Sequence, residues 1–448
     1  MPSAPAAISL PPPPPPASPE GAAVAGSSHV RNVLIYMISG NPGLVGFYRP
    51  FLTTLRQLLD EQRSGSPRFH IYGQDLAGFS DADHDCSFSS PANPPRDLEF
   101  QITHVQTTLR NLGVDADNGT IQTIPPGQHR DAPRRPFDDI VLVGHSVGSY
   151  IALELFHRNM ALRQQQQQQQ QQQTSAPSAA APLNLRSAIL LFPTITHIAQ
   201  STAGKRLDML RQIPVLGPNA YRIARGLLAV LPAPAVSWIV SSVLRFPPHA
   251  AEVLVPWLKS RDGVWQALYM GMDEMRVIRE DKWDRELWEI EHDPTTTTAA
   301  AGVTSNSSSS SNNNTQAVNS SSFSEPATPP PPKFFFFFGQ NDHWVADHYR
   351  DLFIAERTTT NGAGTVKPGA GDDEVTEAES DHSTGGNSSS SSSSSSRSNS
   401  QKPPPPSTAS TRIVVDEGNL PHAFCIHHSK TVAEKVHSWL RELYPSRA

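Results

Sequence analysis

Three residue types that can act together in nucleophilic catalysis occur in this chain, each beside a short apolar run. Ser146 stands in Gly144-His-Ser-Val-Gly148, Asp342 in Gly-Gln-Asn-Asp-His, and His422 in Leu-Pro-His-Ala-Phe. A serine hydroxyl is a weak nucleophile until a base accepts its proton, and a third group usually orients that base. The three residues therefore predict attack on an acyl group through a covalent intermediate, provided that the fold brings them together.

The serine motif is the strongest of these signals. Residues 139–143 (Asp-Ile-Val-Leu-Val) are typical of a buried strand, and the residues after Gly148 are typical of a helix. Gly-x-Ser-x-Gly in that context is the nucleophile elbow of an α/β-hydrolase fold, with small residues at Gly144 and Gly148 so that the backbone can pack closely. The hydroxyl of Ser146 would then stand at the amino end of a helix, whose dipole favours a developing oxyanion. A glycine-rich turn with an incidental serine is the alternative.

His422 is the predicted general base because it lies in a turn after the last predicted strand and before the last helix. In this fold the acid and then the histidine follow the serine along the chain. His427 and His428, which begin the last predicted helix, remain alternatives.

Asp342 is the predicted acid, since it follows an apolar run at 334–338 that is typical of a buried strand ending in a polar turn. Its other possible role is to cap the helix that follows, and Asp347 is a nearby rival. Asp273 lies in a predicted helix and is a weaker candidate.

The oxyanion hole needs two backbone donors. One is predicted to be the N–H of Val147, after the nucleophile, and the other to come from the loop after the first core strand, Ser39-Gly-Asn-Pro-Gly43. Pro42 has no N–H, so the donor is Asn41 or Gly43, with Asn41 preferred. A plain Asn-Pro-Gly turn without a catalytic role is the alternative.

The elements that must position these residues alternate between strand and helix. The sequence predicts strands at 33–38, 70–74, 140–143, 188–192, 334–338 and 413–415. It predicts helices at 50–61, 98–112, 147–158, 346–355 and 430–443. Continuous apolar runs suit strands that are buried on both faces, and the alternating order indicates a mostly parallel sheet with helices on both faces. Functional groups gather at the carboxyl ends of such strands.

Low-complexity tracts interrupt what is predicted to be a single α/β-hydrolase domain at 29–448. The proline-rich N-terminus at 1–28 is predicted to be disordered. Insertions predicted to be disordered in the same way lie at about 113–136, 160–182 (with its glutamine run), 293–333 and 357–410. An apolar cap or lipid-contact insert is predicted at about 207–290.

Composition excludes several classes of function. The net charge of −6 and the pI near 6.3 provide no basic field for nucleic acid. No histidine or cysteine pattern is typical of a metal site, and no phosphate-binding loop is present, so neither a metal nor a cofactor is predicted. Cys86 and Cys425 are expected to be free thiols. The N-terminus lacks the pattern of a signal peptide, so secretion is not expected.

The middle of the insert suits contact with lipid. Residues 226–244 contain no charged side chain, and three arginines flank them (Arg222, Arg225 and Arg245). Two prolines break the run, which favours a hairpin of short helices in a membrane interface over one transmembrane helix. Trp238 and Trp257 suit an interfacial depth. The alternative is a soluble cap whose apolar face covers the active site.

Five segments together resemble the lipid droplet-associated hydrolase family. They are Ser39-Gly-Asn-Pro-Gly with Phe47-Tyr48, Gly-His-Ser146-Val-Gly, Leu191-Phe-Pro-Thr-Ile195, Gly339-Gln-Asn-Asp-His-Trp and His422-Ala-Phe. The first and third are more specific to this group than the serine motif is. The resemblance implies an α/β-hydrolase fold with a triad of Ser146, Asp342 and His422. It also implies neutral lipid or sterol esters as substrates, at the cytosolic face of lipid droplets and the endoplasmic reticulum.

The sequence therefore predicts a serine ester hydrolase that acts on lipid esters at the droplet surface through an acyl-enzyme on Ser146. Two other functions remain open. One is a lipid-droplet scaffold or binding protein whose site is weak or vestigial. The other is acyl transfer, because an alcohol can replace water in the attack on the same intermediate.

Overall fold

A seven-stranded sheet forms the centre of the computed structural model, which describes residues 6–13, 30–61, 67–115, 119–123, 134–171, 181–214, 216–283, 287–288, 333–361 and 411–445. The strands are β1 (Ala7–Leu10), β2 (Asn32–Ile38), β3 (Arg68–Gln74), β4 (Leu112–Asp115), β5 (Ile121–Thr123), β6 (Arg134–Arg135), β7 (Asp139–His145), β8 (Leu185–Leu191), β9 (Lys333–Gly339) and β10 (Arg412–Asp416). Across the large sheet the order is β1-β3-β2-β7-β8-β9-β10, and all its pairs are parallel except β1 with β3.

Helices connect most of these strands. The described helices are α1 (Arg49–Asp60), α2 (Leu98–Asn111), α3 (Val147–Gln171), α4 (Thr202–Gln212), α5 (Leu216–Val230), α6 (Ala233–Trp238), α7 (Pro248–Leu258), α8 (Gly263–Val277), α9 (Asp347–Asn361), α10 (Phe424–His427) and α11 (Ser429–Leu443). Short 3₁₀ turns lie at Val45–Tyr48, Asp81–Asp83 and Ile198–Gln200, and a π turn lies at Ile239–Val243. Helices α1 and α11 pack together, and so do α2 and α3.

The five consecutive phenylalanines of β9 explain why helices cover both faces of the sheet. Side chains alternate between the two faces of a strand, so a run of apolar residues makes both faces apolar. Phe336 packs against Phe353 of α9, whereas Phe335 packs against Trp439 of α11. All five rings are at most 5% exposed. The core therefore lies on both sides of the sheet.

The sequence prediction of the fold class is confirmed. Strands β2, β3, β7, β8, β9 and β10 correspond to the six predicted strands, and α1, α2, α3, α9 and α11 correspond to the five predicted helices. Most boundaries lie where the apolar run or the amphipathic pattern ends and differ from the prediction by one or two residues, whereas α3 and α9 end later than predicted.

The prediction that residues 1–28 are disordered is wrong for residues 7–10. These residues form β1, which pairs with the edge strand β3 and places Ile8 in the core at 3% exposure. The added strand gives backbone partners to a sheet edge that would otherwise be open. The four-residue signal is too short to stand out beside the proline tract. Residues 14–28 lie outside the described residues.

Three predicted insertions are also ordered in part. Within 113–136 the chain forms a small sheet of order β5-β4-β6, which buries Val114 at 5% exposure. Within 160–182 helix α3 continues through the glutamine run to Gln171, because glutamine is a good helix former and extension of an existing helix needs no new nucleus. Helix α9 likewise covers 357–361. The rest of these tracts, at 116–118, 124–133, 172–180 and 362–410, and all but the last residue of 293–333, lie outside the described residues.

Helices α4 to α8 lie between β8 and β9 at 202–277, within and just before the predicted insert at 207–290, and we call them the cap. No single helix in the described part of the chain is long and apolar enough to cross a membrane. The segments Asn219–Val230 and Ala233–Val243 meet the same test only as a pair, and they are bent by 104° at the break between them. Pro232 lies in this break and Pro234 in the first turn of α6, and neither can donate a backbone hydrogen bond to continue α5.

Candidate active site

Ser146 occupies the tight turn between β7 and α3, in the left-handed region of backbone conformation with φ 55°. Close packing around this turn requires its two glycines. A Cβ at Gly144 would lie 2.6 Å from the carbonyl oxygen of Gly148, and a Cβ at Gly148 would overlap the carbonyl oxygen of Ile38. Tertiary packing thus holds Ser146 in a conformation that is unfavourable for a side chain. The turn has the geometry of a nucleophile elbow.

The structure brings the three predicted catalytic side chains into one hydrogen-bonded chain. Ser146 Oγ lies 2.9 Å from His422 Nε2, and His422 Nδ1 lies 2.6 Å from Asp342 Oδ2. Asp342 follows β9, and His422 lies in the turn between β10 and α10. Because β9 and β10 are parallel neighbours, both residues reach the same edge of the sheet as Ser146. Asp342 and His422 are buried, at 5% and 8% exposure.

The charge of Asp342 fixes which nitrogen of His422 carries the proton. Burial acts to raise the pKa of Asp342, but His422, the backbone N–H of Trp344 and nearby His343 together hold this pKa below its ordinary value. Ionised Asp342 can only accept, so His422 Nδ1–H donates to it. His422 Nε2 is then left to accept the proton of Ser146. This is the tautomer that a general base requires.

The rival residues from the sequence analysis bond elsewhere. Asp347 pairs with Arg350 at 2.7 Å, and Asp273 accepts the N–H of Leu98 and pairs with Arg276 at 2.6 Å. Among the described residues, neither His427 nor His428 hydrogen-bonds Ser146 or Asp342. The geometry therefore favours His422 over the two later histidines.

The loop after β2 lies directly against Ser146. A Cβ at Gly40 would be 3.0 Å from Ser146 Cβ, so this glycine lets the loop approach closely. Among the described residues, neither the N–H of Asn41 nor that of Gly43 donates to a protein acceptor, and Gly43 packs against Leu76. Val147 opens α3, where the first N–H groups of a helix lack intrahelical partners. The assignment of Asn41 and Val147 as the two donors stays a prediction.

A second hydrogen-bonded chain supports the first, and sequence analysis did not predict it. The N–H of Gly40 donates to Tyr48 Oη at 3.0 Å, and Tyr48 Oη–H donates to His145 Nδ1 at 2.6 Å. His145 Nε2–H then donates to the carbonyl oxygen of His422 at 2.8 Å. Burial, with a smaller contribution from His422, lowers the pKa of His145 to about 3, so this imidazole is neutral and has one proton to donate. The chain links the loop beside Ser146 to the backbone of His422.

We expect Tyr48→Phe to lower kcat about tenfold while changing KM less. The change leaves the Gly40 N–H and His145 Nδ1 buried without their partner, at a cost of about 1–3 kcal/mol for each group. Gly40 belongs to the loop beside Ser146, and His145 bonds the backbone of His422. We therefore expect the loop and His422 to shift from their positions in the wild type. Turnover of a soluble p-nitrophenyl ester and thermal unfolding are the measurements. Tyr269→Phe, at a half-exposed tyrosine of α8, is the control. Unchanged kcat in Tyr48→Phe would contradict this role.

A cavity of about 430 Å³ opens beside Ser146 and His422. Most of the side chains that line it are apolar, and they come from both the cap and the main domain: Phe47, Ile198, Leu207, Phe246, Leu254, Ala267, Leu268, Met275, Trp344 and Ile426. Glu274 of α8 also lines it, at 4% exposure. Burial raises the pKa of Glu274 to about 8, against the opposite effect of a hydrogen bond from Asn41. An apolar acyl chain suits such a cavity.

One group of residues in the described part of the chain has the composition of a metal site. Ligand atoms of Asp81, His84 and Asp262 all lie within 4.8 Å of one another. However, Asp262 already accepts from His84, from the hydroxyl of Ser87 and from Arg261. Asp81 accepts the backbone N–H groups of residues 261 and 262. Protein donors thus satisfy these carboxylates, and the arrangement fits a structural network that anchors the cap.

The class of protein follows from the order of these parts. A nucleophile elbow after the central strand β7, an acidic residue after β9 and a histidine after β10, on a mostly parallel sheet between helices, define the α/β-hydrolase fold. A solved structure of related shape is the lipase-esterase related protein from Clostridium acetobutylicum ATCC 824. It has a TM-score of 0.37 and 10% sequence identity over 97% of this chain and 99% of that chain.

The chain belongs to the lipid-droplet associated hydrolase family, whose sequence model matches residues 31–383. Similar proteins named "Lipid droplet-associated hydrolase" occur in Gallus gallus (26% identity over 263 residues, 57% of this chain and 66% of that protein) and Rattus norvegicus (28% over 256 residues, 55% and 64%). The matches thus span just under two thirds of the length of these relatives. The resemblance that the sequence motifs indicate is confirmed.

Proposed function

We propose that this chain is a serine hydrolase of lipid esters, with Ser146 as nucleophile, His422 as general base and acid, and Asp342 as the group that orients His422. The observation that carries this proposal is the unbroken hydrogen-bonded chain from Ser146 Oγ through His422 to Asp342 beside an apolar cavity. Membership of a hydrolase family supports the same conclusion.

The reaction would proceed in two halves. In the first, Ser146 Oγ attacks the ester carbonyl carbon while His422 Nε2 accepts its proton, and the N–H groups of Asn41 and Val147 bind the oxyanion. His422 then returns the proton to the alcohol, which leaves behind an acyl-enzyme. In the second half, water attacks the acyl group with His422 as base, and the fatty acid is released.

The apolar cavity and the names of the relatives support neutral lipid or sterol esters as substrates. Purified full-length protein should release oleate from phosphatidylcholine-coated droplets of trioleoylglycerol, dioleoylglycerol or cholesteryl oleate, with mass spectrometry of free oleate as the measurement. Release from none of these by protein that still reacts with a fluorophosphonate probe would reject lipid esters as the substrate class. Binding to droplets with neither oleate release nor fluorophosphonate labelling would favour the scaffold function.

Contact with lipid would occur through the hairpin formed by α5, α6 and the π turn that follows, which we call the apolar hairpin. Its exposed large apolar side chains are Ile223, Leu227, Val230, Trp238 and Val243. Leu227, Val230 and Trp238 are each more than 60% exposed. Apolar residues exposed together in this way form a patch, which on a protein surface often marks a site of interaction with another protein or a membrane. Lys259 Nζ donates to the carbonyl oxygens of Leu228 and Leu231 and so fixes the end of α5.

We propose that the hairpin lies in a droplet monolayer or in the cytosolic face of the endoplasmic reticulum membrane, with the flanking arginines at headgroup level.

The double change Leu227→Ser and Val230→Ser should weaken binding to droplets about 100-fold, because each lost side chain removes about 1.5 kcal/mol of apolar transfer free energy. Flotation with phosphatidylcholine-coated trioleoylglycerol droplets measures this binding. The control is Val30→Ser with Leu352→Ser, which removes two apolar side chains that are more than half exposed on other surfaces. Equal loss of flotation in both pairs would contradict a specific lipid contact at the hairpin.

A further inference from the structure

Glu274 is the one carboxyl group among the described residues that line the cavity beside Ser146. It lies on α8 of the cap and is 4% exposed. An acidic side chain in an apolar cavity is unfavourable unless it is paired or neutral. The mechanism proposed above makes no use of it, so its presence needs another explanation.

The hydrogen bonds of Glu274 leave one of its oxygens free. Asn41 Nδ2 donates to Glu274 Oε1 at 3.0 Å and also to the carbonyl oxygen of Ala267 at 3.0 Å. Within the described part of the chain, Oε2 has no hydrogen-bond partner and no basic side chain forms an ion pair with the carboxyl group. To hold Asn41 in place, a backbone carbonyl or a glutamine would be enough. A carboxyl group adds a second oxygen to a side chain that lines the cavity.

At neutral pH this carboxyl group is largely protonated, because burial raises its pKa to about 8. Oε1 accepts from Asn41, so the proton resides on Oε2. The side chain therefore presents one O–H donor in a cavity where few other polar groups compete for the substrate. A neutral acid that donates a hydrogen bond in an apolar site is a known catalytic arrangement.

We infer that Glu274 and Asn41 form a polar subsite in which Glu274 Oε2–H donates to a free hydroxyl oxygen of the bound ester. The substrates favoured by this subsite are neutral esters that keep a hydroxyl group on their alcohol portion, such as partial glycerides. Simple alkyl esters would leave this O–H donor unpaired in the cavity, which lowers kcat/KM for them relative to esters that carry a hydroxyl group. This inference rests on the proposed ester hydrolysis and specifies its substrate class.

The test compares 1-octanoylglycerol with propyl octanoate, which share the acyl chain and the three-carbon alcohol and differ only in two hydroxyl groups. We expect wild-type kcat/KM to be at least about tenfold higher for the glycerol ester. The propyl ester has no hydroxyl oxygen to accept from Glu274 Oε2–H, and a tenfold loss is typical of one buried hydrogen bond that is not replaced. Glu274→Leu should lower kcat/KM about tenfold more for the glycerol ester than for the propyl ester. Glu274→Gln, which keeps an acceptor for Asn41 and a donor for the substrate, should retain the preference within about threefold.

Glu434→Leu, at an exposed glutamate of α11, is the control for the substitution itself. Thermal unfolding and fluorophosphonate labelling of each variant show whether the fold and Ser146 are intact. An equal fall for both esters in Glu274→Leu would reduce Glu274 to a positioning residue for Asn41 and overturn the inference. A wild-type protein that labels but shows no preference, or turns over neither ester, would overturn it as well. Failure of wild-type labelling would instead reject the proposed function.

Discussion

Replacement of Ser146 by alanine should lower ester hydrolysis by about 10⁴- to 10⁶-fold, the largest effect expected of any single change in this chain. Without Oγ no acyl-enzyme can form, and only the residual catalysis from substrate binding and the oxyanion donors remains. The cavity and the elbow should persist, since alanine is smaller than serine and fits the same turn. Turnover of p-nitrophenyl butyrate and thermal unfolding are the two measurements.

The control for this change is Ser438→Ala, at an exposed serine of α11 whose hydroxyl bonds only to its own helix. It should retain full activity. Residual activity of Ser146→Ala above a few per cent of wild type, in protein that unfolds at the wild-type temperature, would show that another residue is the nucleophile.

Replacement of Asp342 by asparagine should lower kcat by about 10⁴-fold with little change in KM. An asparagine can keep the bond from the Trp344 N–H, but its amide group can also donate to His422 Nδ1. His422 would then carry its proton on Nε2, where it faces Ser146 and cannot accept. The loss of the carboxylate also removes the charge that stabilises the imidazolium in the transition state.

Asp347→Asn provides the matched control, because Asp347 is the nearest acidic rival in sequence and is an exposed residue of α9 that pairs with Arg350. We expect its kcat to stay within about twofold of wild type, because Asp347 itself is exposed and Arg350 keeps its ion pair with Asp351. Similar losses in Asp342→Asn and Asp347→Asn would contradict the assignment of Asp342 and point to a general effect on the turn after β9.

Local signals explain why much of the fold could be predicted from the sequence. The continuous apolar runs of β7 and β9 identify buried strands, and glycines at 144 and 148 mark a turn that tolerates no larger side chain. Asp342 and His422 could be predicted as candidates because each lies in a turn after a predicted strand, and parallel strands carry such residues to one edge of a sheet. These signals lie within a few residues of the groups that they position.

Other features depend on contacts between distant parts of the chain and left no local signal. Tyr48 and His145 are 97 positions apart, and nothing in either motif indicates that a hydroxyl and an imidazole meet. The bond between Asn41 and Glu274 joins the first core loop to the cap in the same way. Strand β1 and the extension of α3 into the glutamine run were hidden for another reason. Both segments have a composition that is typical of disorder. Pairing with β3 orders β1, and the existing helix α3 extends into the glutamine run without a new nucleus.

The most direct test of the account is to identify the residue that reacts with an acyl-enzyme mimic. Purified protein should be treated with a fluorophosphonate, digested and mapped by tandem mass spectrometry. We predict a single adduct on Ser146, formed in wild type and absent from Ser146→Ala. An adduct on another serine, or no adduct in folded wild-type protein, would contradict the claim that Ser146, His422 and Asp342 form a working catalytic triad.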